Sequence, residues 1–297
     1  MKRTHLLAIL LIDLIWAGNI VAIKFAVEAI PPLMAVTLRY TIVLLCCAPW
    51  ARWLPGRMPA IAGTGVVAGA LFMGLGALSY SLADNVSALA IAGQVGVPFS
   101  LILAVIFYHE RIHFIRITGI LLAFAGVGVL AFDPRIFDER VGLLLTVAAA
   151  LCWAIGNLLF RRLQGVFVLT IHFWLAAVSI PLLAAASLVF EPGALLNVAA
   201  VPLHTWGWLV YSAVGASLIG HGGMTWLFQR YPVSTVAPLT LPTPLLGVIV
   251  AVLVFGNAVT PIMVVGGLLT LAGIAIITLR TSQARDRTAP AREEQAA

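Results

Sequence analysis

Charge is what this sequence has least of. Only 9% of its 297 residues are Asp, Glu, Lys or Arg, and 62% belong to the set Ala, Val, Ile, Leu, Met, Phe, Trp, Tyr and Cys. A water-soluble domain carries about a quarter charged residues, so this chain cannot cover a soluble surface. Soluble globular, disordered and coiled-coil classes are excluded on the same ground. Cysteine is scarce too: Cys46, Cys47 and Cys152 all lie in apolar runs. That excludes a disulfide-stapled scaffold, and two adjacent cysteines lack the spacing of a metal site. No GxxxxGK[ST] phosphate loop, HExxH or paired-aspartate motif occurs, so nothing marks an ATP site, a zinc centre or a magnesium-dependent transferase. We expect no cofactor and no resident metal. The net charge is +6, but the basic residues lack the interleaved aromatics of a nucleic-acid surface, and no nucleic-acid partner is expected.

What the chain does have is length in its apolar runs. About 20 apolar residues cross a bilayer as a helix, and ten segments qualify: Leu6–Val27, Leu33–Trp50, Ile61–Leu82, Val86–Phe107, Phe114–Phe132, Val141–Phe160, Phe167–Val189, Thr205–Phe228, Val233–Phe255 and Ile262–Leu279. The start, Met1-Lys2-Arg3 before an apolar run, imitates a signal peptide, but Asp13 and Lys24 interrupt that run and no small-residue cleavage site follows. It reads as the first transmembrane helix. With both termini cytoplasmic, thirteen of the seventeen Lys and Arg fall on the inner side and only Arg135 and Arg140 on the outer, Lys24 and Arg39 lying within spans. Positive charge collects on the inner side of membrane proteins, and dropping one helix would destroy the sorting. The expected fold is therefore an all-α integral membrane protein of ten transmembrane helices, N-in and C-in. Residues 281–297, rich in Arg, Glu, Ala and Gln, read as a disordered cytoplasmic tail.

The chain also repeats itself. Trp16-Ala17-Gly18-Asn19 resembles Trp153-Ala154-Ile155-Gly156-Asn157 at an offset of 137, and Val86-Ser87-Ala88-Leu89-Ala90 resembles Val233-Ser234-Thr235-Val236-Ala237 at 147. The second offset carries Gly119 onto Gly266 and Gly126 onto Gly273, and sets Glu110 opposite Asn257. The ten extra residues fit the longer loop from Glu191 to His204. Residues 1–137 and 138–280 thus read as two copies of a five-helix unit. Five is odd, so the second copy enters the membrane upside down. Inverted repeats are a transporter architecture, because two near-equal halves give two near-equal packings, each open to one side.

These residues resemble the drug/metabolite transporter superfamily in its ten-helix EamA-type branch. The resemblance runs from Ile15 to Ile277: the stretch from Trp16 to Lys24, Pro31-Pro32 through Leu38-Arg39-Tyr40, Pro98 leading to His109-Glu110-Arg111, then Gly119 and Gly126. In the second half it rests on Val236-Ala237-Pro238, Pro244, Gly266 and Gly273. Where the family commonly carries Glu at the end of its ninth helix, this chain has Asn257. The resemblance implies export or exchange of small metabolites, amino acids foremost among its bacterial members.

Polar residues inside spans are the candidates for the site, since each is costly there. Asp13, in helix one, could take up a proton or hold an ammonium; its bland alternative is an interfacial carboxylate reaching Arg3 or water. Lys24 and Arg39, with Glu28 nearby, could form a structural ion pair that snorkels outward, or hold a substrate carboxylate. His221 lies between Gly220 and Gly222-Gly223, on one face with Ser217 and Thr225. It could line a cavity, couple protons or simply pack. Tyr80, Ser79, Gln94, Asn19 and Asn157 could offer donors and acceptors to a zwitterion or bond between helices. Trp16 and Trp153 lie too deep for an interfacial belt and could wall a pocket. Pro238, Pro242 and Pro244, interleaved with Thr240 and Thr243, should kink or unwind helix nine, and Pro98 does the same once in helix four.

The sequence therefore points to a secondary transporter of the bacterial inner membrane, not an enzyme. It would export a small metabolite, most simply an amino acid, by alternating access around a midplane cavity. The competing readings are an exporter of drugs or other toxic or metabolic compounds, a channel, and a membrane-embedded lipid-modifying enzyme, for which no clustered acid/base residues or metal ligands occur. The partners are a small-molecule substrate and the lipid bilayer; a monomer is compatible with the sequence, which does not fix the oligomeric state.

Overall fold

The computed structural model of the chain describes residues 3–108, 114–134, 139–228, 230–231, 236–240 and 242–286. Among these residues every regular element is helical and no strand occurs. In apolar surroundings a helix satisfies its backbone internally, which an open strand cannot do. The chain runs through α1 (Arg3–Ala29), α2 (Pro32–Trp50), α3 (Met58–Leu82), α4 (Val86–Phe107), α5 (Phe114–Leu130), α6 (Arg140–Phe160), α7 (Val168–Phe190), α8 (203–228), α9 (Pro242–Phe255) and α10 (Pro261–Asp286). Of these, α1 to α4, α6 and α7 are six helices long and apolar enough to cross a membrane, while α5, α9 and the Pro261–Ile277 part of α10 are shorter apolar helices. α10 continues to Asp286, six residues into the stretch read as a tail. His109, Glu110, Arg111, Arg135 and the Val233-Ser234-Thr235 motif lie outside the described residues. Leu7, Phe107, Leu121, Leu144, Leu188, Leu253 and Leu268 are exposed, a surface suited to lipid.

Two kinds of irregularity, π segments and 3₁₀ turns, break the regular helices near the centre of the bundle. α3 contains a π segment at Gly65–Leu71 and α8 one at Tyr211–His221. A 3₁₀ turn, Gly93–Val95, interrupts α4, and another, Ala237–Thr240, precedes α9. Pro98 explains the first of these turns, because it has no N–H for the carbonyl of Gln94 four residues back. Pro242 and Pro244 leave the same gap ahead of α9. Helix starts are capped from a distance: Glu191, just past α7, accepts the amides of Leu33 (2.7 Å) and Met34 (3.0 Å) at the start of α2. Asn85 caps α4 through the amide of Ser87 (3.1 Å).

The helices pack in a reciprocal pattern. α1 lies against α8 and α9, and α6 lies against α3 and α4; α2 packs on α7 and α5 on α10. Side-chain contacts fix the directions. Along α1, Ile12, Trp16, Asn19 and Phe25 meet Gly223, Gly220, Ser212 and Trp208 of α8, so that pair is antiparallel. Asp13, Ile20 and Phe25 meet Thr243, Gly247 and Phe255, so α1 and α9 are parallel. In the same way α3 and α6 are antiparallel, with Ser79 at Thr146 and Ala68 at Gly156. α4 and α6 are parallel, with Gly93 at Thr146 and Gly96 at Trp153.

The closest crossing joins α5 to α10. A Cβ on Gly119 would stand 2.8 Å from the Gly273 carbonyl oxygen, and one on Gly126 would stand 2.5 Å from that of Gly266. Moving seven residues forward on α5 moves seven back on α10, which makes the pair antiparallel. Backbones approach this closely only where small residues line the seam. We expect Gly126→Ala to push the helices apart and to lower the melting temperature of the purified protein, at a cost of about 1–3 kcal/mol for an overpacked contact. Gly128→Ala, where an added Cβ meets nothing within 4 Å, should melt like wild type in the same thermal denaturation assay.

Candidate functional site

The two tryptophans of the repeated motif come together. Trp16 on α1 reaches α8, where its indole donates to the Ala216 carbonyl at 3.4 Å, and Gly220 leaves room for the ring. Trp153 arrives from α6. Between them stands the imidazole of His221, with its ring centre 5.1 Å from that of Trp16 and 5.0 Å from that of Trp153. A fourth ring, Phe72, lies 5.0 Å from Trp153 and 6.4 Å from His221. Phe72 directly follows the π segment of α3, and His221 ends that of α8. Each half therefore contributes one tryptophan and one ring from its π-containing helix. Such edge and tilted ring pairs, at about 4.5–7 Å, are favourable beyond the area they bury.

Polar groups border these rings. The His221 Nδ1 atom is buried without a hydrogen-bond partner, and so is Nε2 of His172 on α7, which lies beside Gly222. Arg39 on α2 is 3% exposed and donates through Nε (3.1 Å) and Nη2 (2.9 Å) to Ser217 Oγ, one turn before His221. Gln94, in the turn before Gly96, and Asn157, one turn beyond Trp153, make no side-chain hydrogen bond to a described residue.

Other candidates are spent elsewhere. Ser79 donates to the Gly142 carbonyl (2.7 Å) and shares a hydrogen bond with Thr146 (2.6 Å), joining α3 to α6. Asn19 accepts the Ser212 hydroxyl and joins α1 to α8. Tyr80 stands eight residues beyond Phe72 on α3, about 12 Å along the axis, packed among Ile20, Val86 and Ala90. It does not touch the ring cluster. Thr240 sits in the 3₁₀ turn before α9. Asp13 is 1% exposed and accepts Thr243 Oγ1 at 2.7 Å, which ties α1 to α9.

Lys24 resolves differently from Arg39. Its ammonium donates to the carbonyls of Ala83 (2.7 Å) and Tyr80 (3.4 Å) and stands 3.5 Å from Glu28. It thereby neutralises the C-terminus of α3, where carbonyls lack helical partners. At the same end of the molecule Glu139 accepts the Asn85 amide (3.0 Å), and burial pushes its carboxyl above the ordinary range. Among the described residues no group of three His, Cys, Asp or Glu side chains could hold a metal ion.

The sequence singled out Trp16, Trp153 and His221 as candidates, which the structure brings together, but not Phe72 or His172, which lie with them. The signal for Phe72 was its place in the third helix of its half, as His221 is in the third helix of the other. His172 was a lone histidine in an apolar span. We expect Gly220→Ala to displace the Trp16 indole and alter the near-ultraviolet circular dichroism of the purified protein. Gly207→Ala, on the same helix where a Cβ meets nothing within 4 Å, should leave that spectrum unchanged.

Comparison with known proteins agrees with this architecture. The model of the EamA-like transporter family matches residues 3–132 and 140–279. A protein of Escherichia coli (strain K12) named "Probable amino-acid metabolite efflux pump" is 28% identical over 286 residues, covering 93% of this chain and 95% of its own. The protein of the same name from Salmonella typhimurium (strain LT2) is 26% identical over 287 residues, with the same coverage of each chain. A solved crystal structure superposes with a TM-score of 0.64 over 96% of this chain and 99% of its own, at 21% identity.

Proposed function

The chain belongs to the EamA-like transporter family, a multi-pass membrane family, and on that premise we propose that it exports small metabolites, most simply amino acids, across the bacterial inner membrane by alternating access. The observation that carries this reading is the ring cluster, to which each half of the chain gives a tryptophan and a π-helix ring. A binding site shared by two near-equivalent halves can open to either side of the membrane when one half rocks against the other.

In this reading all ten helices cross the bilayer, N-in and C-in, as two inverted five-helix repeats. The packing directions support it: every pair whose contacts fix a direction fits strict alternation along the chain. The two separate matches to one family model support the repeat. So does the α5–α10 crossing, in which Gly119 meets Gly273 and Gly126 meets Gly266; exchanging the repeats carries one contact onto the other. The rings fill the centre, so entry of a substrate parts α1 from α8 and α3 from α6. The π segments and 3₁₀ turns are natural places for that bending.

The proposed site takes its walls from Trp16, Trp153 and His221, with Phe72 added, and its polar contacts from Gln94 and Asn157. Tyr80 belongs to the path between the rings and the Lys24 end. Ser79, Asn19 and Thr240 serve that site by holding its helices. Asp13 and His221 are the groups through which a proton could be coupled.

Purified protein in liposomes loaded with a mixed amino-acid pool tests the reading. Saturable efflux of particular amino acids is expected, and His221→Ala and Tyr80→Ala should each lower its initial rate about tenfold, the loss of one contact worth about 1.4 kcal/mol. Folded protein that releases no amino acid would contradict the substrate class. Wild-type rates in both variants would contradict the site.

A further inference from the structure

Four charged side chains are less than one-tenth exposed among the described residues: Asp13, Lys24, Arg39 and Asp133. The two aspartates accept threonine hydroxyls, from Thr243 and Thr260, and a carboxylate can also shed its charge by taking a proton. Lys24 has two carbonyls and Glu28. Arg39 has a single neutral oxygen, that of Ser217. Its guanidinium cannot be deprotonated and carries five N–H donors, of which Ser217 engages two. No Asp or Glu oxygen of the described residues lies within 4.0 Å of it. A buried cation left without a counter-charge is strongly unfavourable, so an arrangement serving stability alone would supply one.

The surroundings point the same way. His172 is 4% exposed and its Nε2 has no partner; the His221 Nδ1 has none either. His172 Nε2 lies beside Gly222, the residue that follows His221, 3.6 Å from where a Cβ there would stand. Ser217 fixes the guanidinium one turn from His221, and His221 stacks among Trp16, Trp153 and Phe72. Three under-used polar groups therefore adjoin an apolar aromatic wall. Buried polar groups are nearly always satisfied; Ser87 Oγ, Thr205 Oγ1 and Asn257 Oδ1 are unpartnered too, but the two imidazole nitrogens are the ones that share a neighbourhood with a buried cation.

Building on the transporter reading above, we propose that Arg39 binds the carboxylate of the substrate, with the orphaned nitrogens of His172 and His221 facing the substrate's remaining polar atoms and the ring cluster holding its apolar body. The ligand class is a monocarboxylate with an apolar or aromatic body. A guanidinium pairs with a carboxylate through two parallel charge-assisted hydrogen bonds. A phosphate dianion would favour a second cation, and among the described residues the other buried one, Lys24, is already engaged by Ala83, Tyr80 and Glu28.

The test is a binding titration of purified protein, followed by calorimetry, with 3-phenylpropionate and with 3-phenylpropanamide, which has nearly the same shape and no charge. The acid should bind saturably to wild type and the amide at least about tenfold more weakly, the scale of one charge-assisted hydrogen bond. Arg39→Gln should weaken the acid about tenfold and leave the amide unchanged, while Arg39→Lys should recover part of the loss. Equal affinity for acid and amide in wild type, no binding of the acid, or undiminished binding in Arg39→Gln would overturn the proposal. Displacement of the acid by inorganic phosphate at similar concentration would overturn it in favour of a phosphate site. The wild-type comparison decides even where a variant fails to fold. Acid binding in protein that exports no amino acid would leave this site standing and remove only the transport substrate.

Discussion

A polar group surrounded by hydrocarbon must find its partner within the protein, because no water is there to offer one. That constraint shapes this chain from end to end. It makes the backbone helical and sends Glu191 back to the first amides of α2. It places Lys24 on the carbonyls that α3 leaves open and spends Ser79 and Asn19 between helices. Against that habit of pairing, Arg39, which has only the Ser217 hydroxyl, and the unpartnered ring nitrogens of His172 and His221 mark the place proposed above for the substrate.

Those groups border the part of the fold where helical hydrogen bonding is least regular. The seams between α2 and α7 and between α5 and α10 are tight, the second closed by glycines that bring backbone against backbone. The helices bearing the ring cluster are looser in construction. π segments in α3 and α8 and 3₁₀ turns beside α4 and α9 replace regular helical hydrogen bonding where these helices approach the rings. In the alternating-access reading proposed above, tight seams and interruptible helices would let one half move against the other without unfolding. In that reading the rings would act as a closed door in the centre, held by stacking contacts that a ligand would replace.

Much of this was legible in the sequence. The repeated Trp16-to-Asn19 and Trp153-to-Asn157 motifs announced two ring donors, and the offset of 147 paired the glycines that cross. His221, flanked by glycines, declared itself as a polar group with room around it. What the sequence hid depends on depth and rotation about a helix axis. Phe72 is one aromatic among many apolar neighbours, and its meeting with Trp153, just after a π segment, is visible only in the fold. Arg39 and Lys24 look alike on paper; one caps a helix and the other reaches Ser217, a difference set by which neighbour's carbonyls lie within reach. The prolines of α9 and Pro98 were readable as breaks, whereas π geometry leaves no comparable mark because it needs no special residue.

The central claim is that the ring cluster is reached from both sides of the membrane in turn. The direct measurement places one cysteine at Phe72 (Phe72→Cys) after replacing Cys46, Cys47 and Cys152 by alanine. The protein is then reconstituted in one orientation, and a membrane-impermeant thiol reagent is added from one face at a time. The account predicts labelling from either face and slower labelling from both when a transported amino acid is present. Labelling from one face only, at a rate indifferent to substrate, would contradict it.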